Sequence, residues 1–449
     1  MESILAAHGG EQLIPELDPN VYQNQAPYVI SREQCTTSCP SVSISPGGVR
    51  TAKISIVDGN FLDLSSLHFS FLVRNIAVDG ADGAPGHPLL PLSAIPHSFW
   101  RRIRITVNGA VVDDISNLSR VEEQISRFLS TNKRRNMGDA GFGWDVLDDN
   151  GAQRSKTVRT QRAMRVTWRP LSSGFLQASR YLPMMGGAAS GLVIELECAD
   201  ATAAVHTAAN HSTDWAIEQL QCHVDSVQLT SSMTSDIADV LIRGESILIP
   251  YSTNSCDVIY TQGQGPSLTL SLAKSYSRLA TVFVSLGAVE PAAEENNCMV
   301  KDMNNFYLPS TASRVGPLEV ESYIQVNQKR MPQFNIAGTA QHYHRPIQAL
   351  GVWNSASRSI NIPKDKYGGV PTGLTGTTAA PSPAVEGNMW VAAYDCETVP
   401  HAENSGMLVQ GGGTVQIHLK NVGAPTKAYI TTHYDCVLEL RNQGAVAYS

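Results

Sequence analysis

Long apolar runs are missing from this sequence. No stretch approaches the ~18 to 20 uninterrupted apolar residues that a bilayer-spanning helix requires. The first residues, MESILAAHGGEQLIPELDPN, carry acids where a secretory leader carries basic charge, so synthesis in the cytosol is expected. Charge is scarce as well: Asp, Glu, Lys and Arg make up 16% of the 449 residues, well below the ~25% of ordinary soluble chains. That scarcity argues against coiled coils and long helical bundles, whose exposed faces are charged. The 33 Lys+Arg and 40 Asp+Glu leave a net charge of -7, too mild to draw the whole chain to nucleic acid or an anionic membrane. Any such contact has to be local.

Cysteine pairs and catalytic signatures are missing too. The eight cysteines are scattered, no CxxC occurs, and the three-residue gap between Cys35 and Cys39 has no second copy, so a zinc ribbon is unsupported. A chain this long builds a core without cross-links, and the cysteines are expected to be reduced and mostly buried. GxSxG, HExxH and GxxxxGK[ST] are absent, which removes the usual support for hydrolase, zincin and nucleotide-binding readings. The expectation is a protein that is not an enzyme, with no cofactor and no small-molecule substrate. His342-Tyr-His344 could set two imidazoles on one side of a strand, but two ligands do not make a metal site, and an ordinary loop or strand-end pair is preferred. Asp79 and Asp82 lack the ligand spacing of a calcium loop and read as a turn.

What is present in quantity is Gly (35), Pro (24), Ser, Thr, Ala and Val, the composition of short strands joined by many turns. Apolar and polar residues alternate from end to end, as they do in strands with one buried face. The clearest runs are Phe69, Phe71, Val73; Ile103, Ile105, Val107; Ile194, Leu196, Cys198; Leu268, Leu270, Leu272; Val282, Val284, Leu286; and Val415, Ile417, Leu419. The turn signals DGADGAPG, PMMGG and GQGP separate such runs. This is the pattern of an all-β sandwich chain.

One segment departs from it. After Leu118 the apolar residues fall at Val121, Ile125, Phe128 and Leu129, and Ser119-Arg-Val-Glu122 has the form of a capping box. Lys133, Arg134 and Arg135 suit the negative end of a helix dipole, with Asn136 and Gly138 following. The spacing predicts one helix over 117–135.

The two halves of the chain resemble each other. Ile105-Thr-Val107-Asn108 matches Ile324-Gln-Val326-Asn327, Ile194-Glu-Leu196 matches Ile417-His-Leu419, and His223-Val-Asp225-Ser-Val227 matches His433-Tyr-Asp435-Cys-Val437, in the same order. Shared alternation alone would explain the apolar positions, but not the repeated Val-Asn and His-x-Asp-x-Val. Two copies of one β-unit follow, meeting near 231–244. The expected division is an N-terminal arm over 1–30, a first sandwich over 31–235 and a second over 236–449.

Two stretches read as long exposed loops. PTGLTGTTAAPSPAVEG at 371–387 is too rich in Pro, Gly, Thr and Ala to bury a core, and 77–97 holds four prolines and three glycines. Basic charge is concentrated in one place. Residues 101–180 contain 15 Lys+Arg against 8 Asp+Glu, and 151–180 contain no acid at all. Arg154, Lys156, Arg159, Arg162, Arg165 and Arg169 are the candidate site, a stripe suited to acidic patches on a neighbouring subunit or to phosphates. A solvated strand edge whose charges block edge-to-edge pairing is the plainer reading. Trp168 and Phe175 are too few to make a base-stacking platform.

With these residues in view, the chain resembles a known family. PLSSGFLQASRYLPMMGGAASGLVIELEC, Pro170 to Cys198, is similar to a segment of the major capsid proteins of polinton-like viruses, adintoviruses and virophages. In that segment a Pro-Leu and Ser-Gly-aromatic element leads to Tyr-Leu-Pro and an Ile-Glu-Leu strand. RRIRITVNGAVVDDISNLSRVEEQISRFLS resembles the strand, Val-Asn-Gly turn and helix of the same family's first sandwich, and YIQVNQKRMPQF the matching strand of its second. Asn108-Gly109 fits the family's turn, whereas Asn327-Gln328 lacks the glycine, which leaves the second turn's type open.

The resemblance implies two tandem jelly-roll β-sandwiches, a double jelly roll with a short helix in an inserted segment. It also implies a major capsid protein whose homotrimer forms a capsomer of nearly hexagonal outline and tiles an icosahedral shell. Neighbouring capsomers, penton and minor capsid proteins would be its partners, with non-specific contact to the genome or an internal membrane, and the virion its location. A glycan-binding or adhesive β-sandwich protein is the alternative, and would also lack catalytic motifs. Its usual marks, a secretory leader and repeated aromatic or calcium-loop sites, are not seen in the sequence.

Overall fold

The computed structural model describes residues 29–77, 87–143, 158, 161–178, 180–184, 191–207, 211–261, 266–287, 303–304, 306, 319–352, 359–362, 367, 389–397, 406–409, 413–422, 425–442 and 444–448. Residues 1–28 of the expected arm, the 371–387 loop, Asp79 and Asp82 lie outside them.

Among the described residues the first half carries ten strands: β1 (Val29–Ser38), β2 (Ser43–Ile44), β3 (Thr51–Ile56), β4 (Phe61–Asn75), β5 (Trp100–Val107), β6 (Ala110–Ser116), β7 (Ala163–Trp168), β8 (Leu182–Pro183), β9 (Leu192–Cys198) and β10 (Trp215–Leu229). The second half carries another ten: β11 (Ile247–Tyr260), β12 (Leu268–Leu272), β13 (Tyr276–Gly287), β14 (Glu321–Val326), β15 (Lys329–Ala337), β16 (Ala392–Asp395), β17 (Met407–Val409), β18 (Val415–Lys420), β19 (Lys427–Arg441) and β20 (Gly444–Tyr448). Helices α1 (Leu118–Phe128) and α2 (Thr131–Ala140) lie between β6 and β7, α3 (Ser231–Ile242) joins β10 to β11, and α4 (Gly338–Ala349) follows β15.

The first half pairs β1-β10-β4-β7 in one sheet and β3-β9-β5-β6 in another, and the second pairs β11-β19-β13-β16 and β12-β18-β14-β15. The short strands β2, β8, β17 and β20 pair off these paths. With them set aside, both halves follow one rule: main strands one, eight, three and six form one sheet, and two, seven, four and five the other. That is the jelly-roll order, and it occurs twice.

Alternation builds the layers. In β3, Ala52, Ile54 and Ile56 are buried while Thr51, Lys53 and Ser55 are exposed. All six apolar triplets picked out by periodicity are buried, the first three in the core of the first sandwich and the others in that of the second. Each such side chain contributes roughly 1.5 to 3 kcal/mol of hydrophobic stabilisation. The first core is widened by Trp100, stacked on Trp168 at 6.2 Å and meeting Phe71 edge-on at 5.5 Å. Cys198, Cys222, Cys256, Cys396 and Cys436 are buried free thiols. Burial pushes the Cys222 thiol up to about 12, so it packs as a small apolar group.

The repeated residues occupy equivalent places. Val107-Asn108 and Val326-Asn327 each end a fourth strand, and both hairpins turn through two left-handed residues: Asn108 (φ 49) and Gly109 (φ 81), then Asn327 (φ 49) and Gln328 (φ 68). Both are turns of the type I′ kind, so the second copy keeps the turn without the glycine. His223 and His433 sit on the eighth strands β10 and β19, each beside a first-strand polar residue. Nδ1 of His223 is 2.9 Å from Thr36 Oγ1, and Nδ1 of His433 is 3.1 Å from Asn254 Oδ1.

The single helix expected over 117–135 is two helices. The chain is extended at Leu129 (φ -82, ψ 162), and the Ser130 side chain caps α2 by accepting from the Lys133 N–H. There is no capping box at Ser119: the N-cap of α1 is Asn117, left-handed at φ 51, and Glu122 directs its carboxylate elsewhere. Lys133 and Arg134 therefore stand in the first turn of α2, with Arg135 just after it, at the end where the dipole disfavours cations. An ion pair made by Arg134 offsets that cost.

Candidate functional site

Among the described residues, a heavily built polar region lies where the two sandwiches meet. It begins with an irregularity in β6: the register with β5 slips between Ile105 and Thr106, and Val112 and Asp113 are both buried as neighbours. The Asp113 carboxylate accepts hydrogen bonds from Ser173 Oγ of the first half and Thr253 Oγ1 of the second, both at 2.5 Å. Burial outweighs these bonds and raises its pKa to about 7. Around it Tyr251 Oη donates to the Val112 carbonyl at 2.8 Å, Asn254 Nδ2 to the Ser172 carbonyl at 2.8 Å, and Ser116 Oγ to the Cys256 carbonyl at 3.0 Å. Ile249, Tyr251 and Cys256 of β11 belong to the same buried cluster as the first sandwich's core.

The Pro170–Gly174 loop is shaped to receive β11. Glu122 of α1 accepts from the backbone N–H groups of Leu171 and Ser172 at 2.8 and 2.7 Å and from Ser172 Oγ at 2.5 Å. Burial raises the Glu122 pKa, while the Ser172 hydroxyl, His97 and the backbone donors oppose the shift. At Gly174 a Cβ would stand 1.3 Å from the Ser252 carbonyl oxygen of β11. Only glycine permits that approach, so the Ser-Ser-Gly of this loop is the imprint of the second sandwich on the first.

Helix α1 completes the seam. Arg120 Nη2 donates to Ser285 Oγ on β13 at 2.9 Å, and its guanidinium lies 3.7 Å above the Tyr429 ring of β19. Phe128 packs on Phe283 at 5.1 Å. Glu123 is held by Arg127 Nε at 2.8 Å and Arg134 Nη2 at 2.9 Å, with His97 Nε2 at 3.2 Å, all in the interior. Burial would raise the Glu123 pKa, but Arg134, Arg127 and His97 together hold it well below the usual carboxylate range. Arg127 also reaches Asn304 Oδ1 at 3.3 Å, which ties this cluster to the second half.

The candidate basic stretch is only partly placed. Arg154, Lys156 and Arg159 lie outside the described residues. Arg162, Arg165 and Arg169 are exposed on and beside β7, the last strand of its sheet. They form no helical stripe: β7 is extended, with Val166 and Trp168 turned inward and Arg165 outward. Arg165 bonds Ser70 Oγ at 3.2 Å and Gln219 Oε1 at 2.6 Å. His342 and His344 lie in helix α4 rather than in a loop or at a strand end. His342 is buried, with Nδ1 donating to the Gly338 carbonyl and Nε2 accepting from Ser322 Oγ, both at 2.8 Å. Burial lowers its pKa to about 4, which keeps it a neutral packing residue. Among the described residues no group of three or more His, Cys, Asp or Glu could hold a metal ion.

The seam residues Asp113, Glu122, Glu123, Arg127 and Arg134 were not singled out as a site by the sequence. One signal was present, Glu123 and Arg127 at helical i,i+4 spacing, but surface pairs look the same.

No family model and no curated protein matches the chain. Solved structures do match it. PBCV-1 VP54, fitted into a reconstruction of the virophage Sputnik, shares 12% identity with a TM-score of 0.59, over 95% of this chain and 98% of its own. The fold is that of the double jelly-roll capsid proteins. The Faustovirus major capsid protein gives 9% identity and a TM-score of 0.58 over 96% of each chain. A chain of the Sputnik virophage structure gives 14% and 0.57, over 96% of this chain and 92% of that one. At such identities it is the double jelly roll that is shared, over nearly the whole of this chain.

Proposed function

We propose that this chain is a major capsid protein, three copies of which close into a capsomer of nearly hexagonal outline that tiles an icosahedral viral shell. The observation that carries the reading is the doubled jelly roll with its buried seam, alike over 95% of this chain and 98% of the other to a protein placed in a virophage particle. Two like sandwiches held rigidly in one chain let a three-fold ring present six similar faces, which is what near-hexagonal tiling requires. The chemistry of such a protein is interface energy, not bond breaking.

In this reading the chain divides into an arm over 1–30, a first jelly roll over 31–235 and a second over 236–449. The arm contacts neighbours or the interior, and the 371–387 loop faces outward. Arg154, Lys156, Arg159, Arg162, Arg165 and Arg169 stand at a subunit boundary or the inner face, near acidic neighbours, the genome or an internal membrane. Neighbouring capsomers, penton and minor capsid proteins are the partners, and the virion is the location. Light scattering with negative-stain imaging of the purified protein tests the proposal. Stable trimers of hexagonal outline, or shells, are expected. A monomer that stays monodisperse across salt and pH would overturn it and favour a glycan-binding sandwich.

A further inference from the structure

The two halves share strand order but not cover. The outward face of the second-half sheet is buried, by the first half together with Phe306, Ala349 and Leu350 of its own half: Phe283 is 7% exposed, Ser285 0%, Tyr429 3% and Thr431 2%. The first half's part of the cover is α1, whose third and eleventh residues, Arg120 and Phe128, meet Ser285 and Phe283, while its seventh, Gln124, faces Thr431 at 3.5 Å. The first-half sheet has the corresponding surface. Gln221 pairs with Ser70 across β10 and β4 where Thr431 pairs with Phe283, and His223 with His68 where His433 pairs with Thr281. Among the described residues no helix covers it: Gln219 is exposed and His68, Leu72, Gln221 and His223 are half-buried, while Ser70 is buried beneath Arg165, which bonds Ser70 Oγ and Gln219 Oε1.

The counterpart of α1 is just as open. Helix α4 occupies the same place between fifth and sixth main strands, and its third, seventh and eleventh residues are Ala340, His344 and Gln348, all exposed. Its other side is already engaged with its own sandwich through His342, which packs on Trp390. Among the described residues, then, the chain shows one filled helix-on-sheet joint, one sheet with no helix over it and one exposed helix of matching position. A contact that joined such a helix to such a sheet of another copy would be head-to-tail, the kind that closes into a ring when repeated by rotation.

We propose that α4 of a second copy covers the outward face of the β1-β10-β4-β7 sheet, with the stripe Ala340, His344 and Gln348 against Leu72, Gln221 and the Arg165 side chain that lies over Ser70. This deepens the capsomer reading and rests on it. The joint is more polar than its intrachain model, since Ser70 and Gln221 stand where Phe283 and Thr431 do. It can therefore form after folding, between chains that are separately soluble.

The test replaces Gln348 with the photo-cross-linker benzoylphenylalanine in the full chain. Isotope-labelled and unlabelled copies are mixed during assembly, irradiated and analysed by peptide mass spectrometry. Cross-links from position 348 to peptides of β4 or β10 in the differently labelled copy are expected, and Gln221→Arg should shift the sedimenting species from oligomer to monomer. An oligomer whose cross-links from 348 fall only on other strands overturns this joint and leaves the capsomer reading standing. A wild-type chain that remains monomeric overturns the capsomer reading and this joint with it.

Discussion

Asp113 is a carboxylic acid at the join of two sandwiches, and its ionisation is coupled to their docking. Its folded pKa is raised to about 7 from 3.8 by burial. A raised value means that its contribution to stability is complete below the unfolded pKa and is lost as pH rises through the folded one. Between those limits the loss is about 4 kcal/mol, at ~1.4 kcal/mol per unit. Asp113→Asn has no proton to lose, so the stability difference between wild type and variant should shift by that order between pH 4 and 8, in the variant's favour. Urea denaturation across the pH range measures it; parallel profiles would show that Asp113 does not titrate there. His342 has the opposite sign, its folded value being depressed to about 4, and comparison with the single variant cancels it. Gln328 poses a backbone question instead. At φ 68 a non-glycine residue is strained, and Gln328→Gly should stabilise by roughly 0.5 to 1 kcal/mol. A calorimetric melting temperature that falls would contradict that.

At the scale of elements, α1 and α2 act as a buried charged wedge. Glu123 balances Arg127 and Arg134 in the interior, and a buried pair that loses one partner costs about 3 to 5 kcal/mol. Glu123→Gln should therefore lower stability by that order, with the loss seen first as increased hydrogen exchange in α1 and α2. An unchanged melting temperature would mean that the guanidiniums find water or other acceptors. The break between the helices was hidden in the sequence because Leu129 continues the apolar spacing. Three cations are accommodated near the start of α2 because Glu123 holds Arg134 at 2.9 Å and Asp139 stands 3.9 Å from Arg135. His342 was misplaced for a similar reason: an His-Tyr-His triplet fits a strand end as well as a helix, and its partner Ser322 is twenty residues away.

For the whole molecule the question is how copies meet. Arg162, Arg165 and Arg169 are exposed on an outermost strand. If they stand at a boundary, replacing all three by Ala should reduce assembled particles without altering the melting temperature, because exposed charges add little to folding. Particle yield by light scattering decides it, and undiminished yield would assign the arginines to protecting the strand edge. Higher salt should weaken assembly in the wild type more than in the triple variant.

Alternation, turn chemistry and the repeat of Val-Asn and His-x-Asp-x-Val were enough to determine an all-β chain of two like sandwiches. Each of these signals is local: a period of two, a left-handed turn, a pair of residues two apart. The six apolar triplets needed no tertiary information, because a strand with one wet face must alternate. The join between the sandwiches was decided only in three dimensions. Asp113, Gly174 and Arg127 owe their roles to Thr253, Ser252 and Asn304 in the other half of the chain, and no local pattern encodes a partner that distant. Polar burial is a property of packing, and packing exists only once both sandwiches have formed.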